Sequence, residues 1–363
     1  MTRYLSPRDI DWPLLLIVLV ISGAGIVQIY SATLDTDVHA AWWRQLIYLA
    51  GGLVLMWLAL TVDYHTLAHH VPLLYAGSII LLLVTYVFGL SVFGSRRWIP
   101  VGGGLHIQVS EFVKLVIILL VARYLNDLRS DALDVREMLK LAGLVMIPAA
   151  LVLKQPDLGT SLTYIAVLIV GAFLGGLNWK YVATISVVAL LVLPVTYRFL
   201  PDYQRSRLIS FMDPDQDPQG AGYQLIQSQI AIGSGGMTGK GITKGTQTRL
   251  RFLPVPYKDF IFSAWAEEQG FVGVVLMLSL YFMLLMRIVQ NAQTAPDRLG
   301  MYICMGVAAL LLSHILINVG MVAGLMPVTG IPLPFMSAGG SSIWSNFLAV
   351  GLVNNIRLRR FVN

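Results

Sequence analysis

Residues 12–30 read Trp12-Pro-Leu-Leu-Leu-Ile-Val-Leu-Val-Ile-Ser-Gly-Ala-Gly-Ile-Val-Gln-Ile-Tyr30, without a single charged side chain. A helix of this length rises roughly 28 Å, close to the ~30 Å thickness of a bilayer's hydrocarbon core. Across the 363 residues, 56% are hydrophobic and 12% are charged, whereas about 25% are charged in soluble domains. The sequence therefore predicts a polytopic helical membrane protein.

Further apolar stretches of similar length predict an all-α fold with about ten transmembrane helices. No composition change marks a second soluble domain, so we expect residues 1–363 to form one transmembrane domain. Residues 200–258 are predicted to form one large extracytoplasmic loop within it. The predicted spans are about 12–31, 42–62, 71–92, 107–124, 138–153, 158–176, 180–199, 259–287, 299–325 and 337–356.

The lysines and arginines predict the orientation, because short cytoplasmic loops of membrane proteins are enriched in them. With both termini cytoplasmic, the inner segments carry Arg3, Arg8, Arg123, Arg129, Arg136, Lys140, Lys180, Arg287, Arg298, Arg357, Arg359 and Arg360. The short outer segments then carry only Arg44, Arg96, Arg97, Lys114 and Lys154. We therefore expect both termini in the cytoplasm and the 200–258 loop outside. The net charge of +6 fits anionic head groups and gives no reason to expect nucleic acid.

The stretch from Pro201 to Asp259 is the polar exception in the chain. Its basic residues are Arg205, Arg207, Lys240, Lys244, Arg249, Arg251 and Lys258. Asp259 follows them and is followed directly by apolar Phe260-Ile-Phe262. An acid where a basic loop meets a membrane helix is a candidate catalytic group. A carboxylate there also interacts favourably with the helix dipole, so a structural role stays open.

Two further pairs of opposite charge lie near the predicted outer surface. Glu111 and Lys114 share one face of a helix, and Lys154 is close in sequence to Asp157. Ionisable groups at membrane depth are expensive and often line a polar cavity. Two such pairs in different spans favour a shared cavity, although each could also be an internal ion pair that holds the bundle together.

The glycine-rich run Gly233-Ser-Gly-Gly-Met-Thr-Gly-Lys-Gly241 resembles a phosphate loop but lacks its first glycine and its final Ser or Thr. We predict instead a flexible segment over a lipid-linked substrate. Just before it, Tyr223, Ile226 and Ile230 share a helical face, as in a short interfacial helix. Glu267 and Glu268 lie two turns deeper than Asp259, and one of them could make a structural polar contact to a neighbouring helix. No Cys/His cluster or HExxH pattern indicates a dedicated metal site.

Several blocks of the chain resemble the SEDS family (shape, elongation, division and sporulation). The C-terminal signature runs from Asn318-Val-Gly-Met321 through Pro327-Val-Thr-Gly-Ile-Pro-Leu-Pro-Phe335 to Gly339-Gly-Ser-Ser342. Further blocks, in the family's order, are Arg97-Trp-Ile99, Gln155-Pro-Asp-Leu-Gly159 and Asp259-Phe-Ile-Phe262. The resemblance covers essentially the whole chain. Lys240-Gly241 with Lys244-Gly-Thr-Gln247 is more similar to the elongation member than to the division member.

The resemblance implies a peptidoglycan glycosyltransferase that polymerises lipid II on the outer face of the bacterial inner membrane, for elongation and rod shape. By position, Asp259 matches the family's essential aspartate. The residues that match the lining of its outward cavity are Arg97, Trp98, Gln108, Glu111, Lys114 and Asp157. The resemblance also implies membrane partners, namely a class B penicillin-binding protein and other elongation-complex proteins.

The chain departs from the family pattern at three positions. Val109 stands where proline is frequent, Ala338 replaces a common tyrosine, and Tyr257-Lys258 replaces His-Thr before the aspartate. The last departure matters most, because a neighbouring cation favours the ionised form of a carboxylate. We therefore expect Lys258 to lower the pKa of Asp259 and to weaken it as a base.

Glycan extension by inversion requires a carboxylate base and cations on the departing pyrophosphate. Asp259 is the predicted base, with Lys114, Arg97 and Lys240 on the polyprenyl-linked pyrophosphate. A divalent cation, Mg²⁺ or Mn²⁺, could share that role. Two alternatives remain: a lipid II flippase, which needs no base but does need inward-facing ionisable groups, and a non-catalytic scaffold for wall enzymes.

Overall fold

The computed structural model describes residues 9–92, 95–102, 105–128, 133–178, 180–181, 183–184, 202–214 and 220–360. Within these ranges the chain is mostly helical. The first seven helices are α1 (Trp12–Thr33), α2 (Ala41–Thr61), α3 (Tyr64–His69), α4 (Val71–Phe88), α5 (Val109–Asn126), α6 (Val135–Lys154) and α7 (Leu158–Leu174). They are followed by α8 (Asp202–Met212), α9 (Ala221–Ser234), α10 (Thr246–Arg249), α11 (Ile261–Gln293), α12 (Arg298–Val322) and α13 (Gly340–Arg359).

Nine of these helices coincide with predicted spans, namely α1, α2, α4 to α7 and α11 to α13. Five of the nine (α1, α2, α4, α11 and α12) are long and apolar enough to cross a membrane by length and composition alone. Of the other four, α7 is shorter, with 17 residues, and α5, α6 and α13 carry more charged or polar side chains. The predicted span 180–199 lies almost entirely outside the described residues.

Helices α5 and α12 form the centre of the bundle. Both are buried along most of their length and pack against each other, and α7 packs against both. Around them, α13 packs against α2, and α11 against α1 and α12. Glu111 and Lys114 on α5 therefore face other helices rather than lipid.

A small antiparallel sheet connects α4 to α5. Its strands β1 (Leu90–Val92), β2 (Ser95–Gly102) and β3 (Leu105–Gln108) pair in sequence order. The mostly helical fold agrees with the prediction, but the residues between predicted spans 71–92 and 107–124 form strands, which an all-α fold does not include. Pro100 explains part of the difference, since proline disfavours the helical conformation for the residue before it. Pairing up to Gln108 also moves the start of α5 to Val109.

The predicted loop 200–258 contains helices α8, α9 and α10. Helix α9 confirms the predicted short helix, but its buried face is formed by Leu225, Ser228 and Ala231, whereas Ile230 is exposed. The Ser228 hydroxyl lies 2.8 Å from that of Ser263 on α11 and donates to the backbone oxygen of Val322 at 2.7 Å. These contacts dock α9 onto α11 and α12.

Candidate active site

Asp259 lies two residues before α11, at one end of the bundle. The residue that caps α11 is Phe260, and no side chain hydrogen-bonds to the helix start. The carboxylate is thus not used as a cap, and this weakens the structural alternative for Asp259. Its backbone oxygen accepts from Asn318 Nδ2 at 2.9 Å, and the same nitrogen donates to the Ile331 oxygen at 2.7 Å.

The proline-rich segment after α12 forms one wall beside Asp259. The Ser337 hydroxyl donates to the Lys258 oxygen at 2.7 Å, and the Ala338 amide donates to the Tyr257 oxygen at 3.0 Å. Gly330 has a φ of 74°, and a methyl group on it would lie 3.3 Å from Asp259 Oδ2. A side chain at 330 would therefore crowd the carboxylate that the backbone holds in place.

Three cations act on the Asp259 carboxylate, which is partly buried. Burial raises the pKa of Asp259 and outweighs the lowering effect of Lys258, Arg97 and Arg207, while Asp157 adds to the rise. The expectation that Lys258 sets a lowered pKa is therefore wrong in net direction. Desolvation of the carboxylate is the larger effect, and it makes Asp259 a stronger base.

A second wall joins the sheet to α7. Arg97 Nη1 lies 3.5 Å from Asp157 Oδ2, and Gln108 Nε2 donates to the same oxygen at 2.8 Å. Trp98 pairs with Gln108 across strands β2 and β3, which places the indole residue beside this wall. The structure thus brings Arg97, Trp98, Gln108 and Asp157 together.

Asp157 also begins α7, where its carboxylate accepts from the Thr160 amide at 3.1 Å and from the Thr160 hydroxyl at 3.0 Å. Lys154 is exposed, and the ion pair of Asp157 is formed with Arg97 instead. Asp157 is therefore a hydrogen-bond or ion-pair partner of Arg97, Gln108 and Thr160.

Arg207 is a member of this site that the sequence did not indicate. It lies on α8 and donates from Nη1 to the Val328 oxygen at 3.0 Å, and its charge acts on Asp259. It belongs to no quoted motif. Only its place in the basic loop before Asp259 could have suggested it.

Glu111 and Lys114 lie in the first two turns of α5, inside the bundle. Lys114 Nζ donates to Glu111 Oε2 at 2.7 Å and lies 3.1 Å from His314 Nε2. The Lys114 side chain is 0% exposed and that of Glu111 is 3% exposed. In this structure neither can contact a substrate at the surface, so the pair favours the structural alternative.

Lys240 is likewise bound elsewhere. Its Nζ donates to Glu267 Oε1 at 2.7 Å, and Glu267 also accepts from the amides of Gln247 and Thr248. This buried carboxylate therefore fastens residues 240–248 to the side of α11, which confirms the expected structural role of Glu267. Lys240 is not brought to Asp259.

The segment 236–241 fills a break in α11 at Gly270, whose φ is 65°. Lys240 N and Gly241 N donate to the oxygens of Glu267 and Glu268. In return, the amides of residues 271 and 272 donate to the oxygens of residues 236 and 237. Such bonds satisfy the backbone of an interrupted membrane helix. The prediction of a flexible segment at 233–241 is therefore wrong.

A protein-family model described as cell cycle protein FtsW/RodA/SpoVE matches residues 12–360. The chain belongs to the FtsW/RodA/SpoVE family. Within this family it is 37% identical to peptidoglycan glycosyltransferase MrdB of Escherichia coli K12, covering 97% of this chain and 94% of MrdB. It is 34% identical to peptidoglycan glycosyltransferase RodA of Treponema pallidum, over 99% of this chain and all of that protein.

A solved chain from a peptidoglycan synthase complex, described as coordinating polymerization and crosslinking, superposes with a TM-score of 0.83. It is 34% identical and covers 98% of this chain and 99% of its own. These matches confirm the SEDS resemblance, since SEDS is another name for the FtsW/RodA/SpoVE family. They also confirm a multi-span membrane fold. The family's quoted blocks at 97–99, 155–159, 259–262 and 318–342 all supply residues to the walls described above.

Proposed function

We propose that this member of the FtsW/RodA/SpoVE family is a peptidoglycan glycosyltransferase that polymerises lipid II. The observation that carries the proposal is Asp259, a partly buried carboxylate with a raised pKa at the end of the bundle. The charges of Lys258, Arg97 and Arg207 act on it, and it does not cap α11. A carboxylate poised in this way is suited to take a proton, which a transporter or a scaffold does not require.

In the proposed reaction, Asp259 removes the proton from the 4-hydroxyl of the acceptor sugar. The hydroxyl oxygen forms a bond to the anomeric carbon of the donor while the bond from that carbon to the lipid pyrophosphate breaks. The single displacement inverts the anomeric centre through an oxocarbenium-like transition state. The proton remains on Asp259, and the negative charge leaves on the pyrophosphate.

Arg97, Arg207 and Lys258 are the cations proposed to meet that pyrophosphate. Arginine is suited to the task because its planar fork binds phosphate oxygens in pairs. Asp157 pairs with the guanidinium group of Arg97, and the Val328 oxygen accepts from that of Arg207. They replace Lys114 and Lys240 in the role predicted from the sequence, because both lysines are engaged in ion pairs with glutamates.

The side chains around Asp259 do not fit a resident divalent cation. Mg²⁺ is usually held by one or two carboxylates together with waters and substrate phosphates, so a resident ion requires carboxylate oxygens that are free. Of the two carboxylates here, that of Asp157 is occupied by donors from Arg97, Gln108 and Thr160. No group of three or more His, Cys, Asp or Glu side chains suited to a metal occurs among the residues described.

The Asp259 end is proposed to face outward, with both termini cytoplasmic and ten spans in all. The support is the excess of lysine and arginine at the other end of the helices. The outer surface of the bundle is apolar, with exposed Val54, Trp57, Leu73 and Phe88 among others. Lipid-linked substrates could therefore approach from the side while their polyprenyl tails stay in the bilayer.

A crosslinking partner in the membrane is also proposed, of the class B penicillin-binding type. The support is that the similar solved chain comes from a complex coordinating polymerization and crosslinking. The proposed activity is tested by incubating purified protein with lipid II, with and without such a partner, and resolving the glycan chains. A flippase would move lipid II between leaflets without forming chains, and a scaffold would do neither.

A further inference from the structure

A cavity that the proposed reaction does not use lies at the end of the bundle opposite Asp259, between α4, α5 and α6. It has a volume of about 600 Å³ and is lined by apolar side chains that include Leu120, Leu128 and Leu144. On α5 the groove reaches Arg123, which is fourteen residues beyond Val109 and therefore roughly 21 Å away along the helix. The groove thus lies near the other membrane surface, far from Asp259.

Four charged side chains line this groove, two of each sign: Arg123 and Asp127 on α5, and Glu137 and Lys140 on α6. No charged residue of α4 lines it. Arg123 Nε lies 3.4 Å from Asp127 Oδ2, and Lys140 Nζ lies 2.7 Å from Glu137 Oε1. Asp127 and Lys140 are 59% and 57% exposed, and ion pairs this exposed are weak enough for a ligand to replace.

One group in the groove is firmly fixed. Arg123 Nη1 donates to the backbone oxygens of Ala68 and His69 at 2.8 and 2.7 Å, so its guanidinium stays in place. Glu137 accepts from the Tyr124 hydroxyl at 2.6 Å and from Lys140. The groove therefore keeps a fixed cation on one helix and offers a more exposed cation, Lys140, on the next, above an apolar floor.

We propose that this groove binds one phospholipid whose head group is zwitterionic and carries a primary amine. Its phosphate lies between Arg123 and Lys140, its ammonium donates to Asp127, and an acyl chain covers the leucines. The apolar floor at the membrane surface favours a lipid over a soluble phosphate. The groove contains two cations and two carboxylates, which favours a zwitterionic head group over an anionic one. An anionic head group would take the cations away from the two carboxylates without offering a positive charge in return. A primary ammonium can donate hydrogen bonds, whereas a choline group cannot.

The test is native mass spectrometry of the full-length protein with three lipids of matched acyl chains: phosphatidylethanolamine, phosphatidylcholine and phosphatidylglycerol. We expect the wild type to retain one phosphatidylethanolamine at a collision energy that removes the other two. Asp127→Asn should weaken that preference over phosphatidylcholine by roughly threefold to tenfold, the effect of losing one charged hydrogen bond at a partly exposed site. Lys140→Gln should weaken retention of all three lipids.

Both substituted side chains are more than half exposed, so both variants should fold, and a thermal melt checks this. Lys180→Gln is the control, because Lys180 is an exposed cation that does not line the groove. Equal retention of phosphatidylethanolamine and phosphatidylcholine by the wild type overturns the proposal, as does stronger retention of phosphatidylglycerol. The groove contains no part of the Asp259 site, so failure here leaves the glycosyltransferase proposal unaffected.

Discussion

Asn318 on α12 donates its side-chain amide to the backbone oxygen of Asp259, 2.9 Å away. Asn318 is fully buried. The same side-chain nitrogen also donates to the backbone oxygen of Ile331, in the proline-rich segment after α12. The proposed base is therefore held by the centre of the bundle rather than by its own loop. The Asn318 side chain therefore fixes the backbone of Asp259 and leaves its carboxylate unbound.

Replacing Asn318 with alanine should lower kcat more than stability alone explains. Two backbone oxygens lose their donor, which costs about 1–3 kcal/mol of folding free energy. A displaced Asp259 should also lower turnover by on the order of tenfold to a hundredfold. The measurements are the rate of lipid II polymerisation per folded molecule and the melting temperature.

Asn355→Ala is the matched control for this variant. The Asn355 side chain is also buried, and it donates to the oxygens of Ala59, Leu60 and Val62 near the opposite end of the bundle. It should lower the melting temperature similarly and leave turnover per folded molecule near that of the wild type. Equal turnover in both variants would show that Asn318 does not position Asp259.

Polymerisation should fall on the acid side at a pH above the ordinary range of aspartate, about 3.9. The base works only when ionised, and burial raises the pKa of Asp259, so activity is lost as the pH falls through that raised value. The measurement is the pH dependence of kcat/KM. An acid limb at or below the ordinary aspartate pKa would contradict this account.

The same shift makes a prediction about stability. For an acid with a raised folded-state pKa, the associated stability is present below the unfolded pKa and is lost as the pH rises through the folded one. Ionised Asp259 therefore opposes folding at pH 7. Asp259→Asn should melt at the wild-type temperature or above it at that pH, and a clearly lower melting temperature would contradict the assigned shift.

Removing the proposed pyrophosphate cations should weaken catalysis without unfolding the protein. Arg207→Gln and Lys258→Gln are each expected to lower kcat/KM about tenfold, equal to ~1.4 kcal/mol. Arg249→Gln is the control, because Arg249 is a cation of the same loop that pairs with exposed Asp35. If all three variants behave alike, the loop's general charge matters and the assigned cations do not.

The buried pair of Glu111 and Lys114 is expected to act on folding. Glu111→Gln or Lys114→Met alone leaves an unpaired buried charge and should cost about 3–5 kcal/mol. The double variant removes both charges and should recover much of that loss together with polymerisation activity. A stable but inactive double variant would instead indicate that Lys114 binds the substrate.

Much of the fold was predictable because hydrophobic length is a strong signal. Nine predicted spans have helices, and the predicted starts of spans at 12, 71 and 158 agree with α1, α4 and α7. The sheet at 90–108 was missed because the glycines and arginines there are typical of a loop, and its short strands lack a clear alternation of apolar and polar residues. The break of α11 at Gly270 was equally hidden, since segment 236–241 restores its backbone hydrogen bonds.

The site was predictable where a residue's function depends on its place in the chain. Asp259 stands at a loop-to-helix junction and Asp157 stands next to a predicted span, whereas Arg97 and Gln108 were expected from the family resemblance. Lys114 and Lys240 were assigned to phosphate by charge alone, but each has a buried or nearly buried glutamate partner. Arg207 was missed because its approach to Asp259 depends on how α8 folds back over the segment at Val328.

The most direct test of the central claim is the polymerisation of lipid II by wild type and by Asp259→Asn, each with a crosslinking partner present. We predict glycan chains from the wild type and none from a variant that melts at the wild-type temperature or above. Chains of unchanged length and yield from Asp259→Asn would contradict the claim that Asp259 is the base.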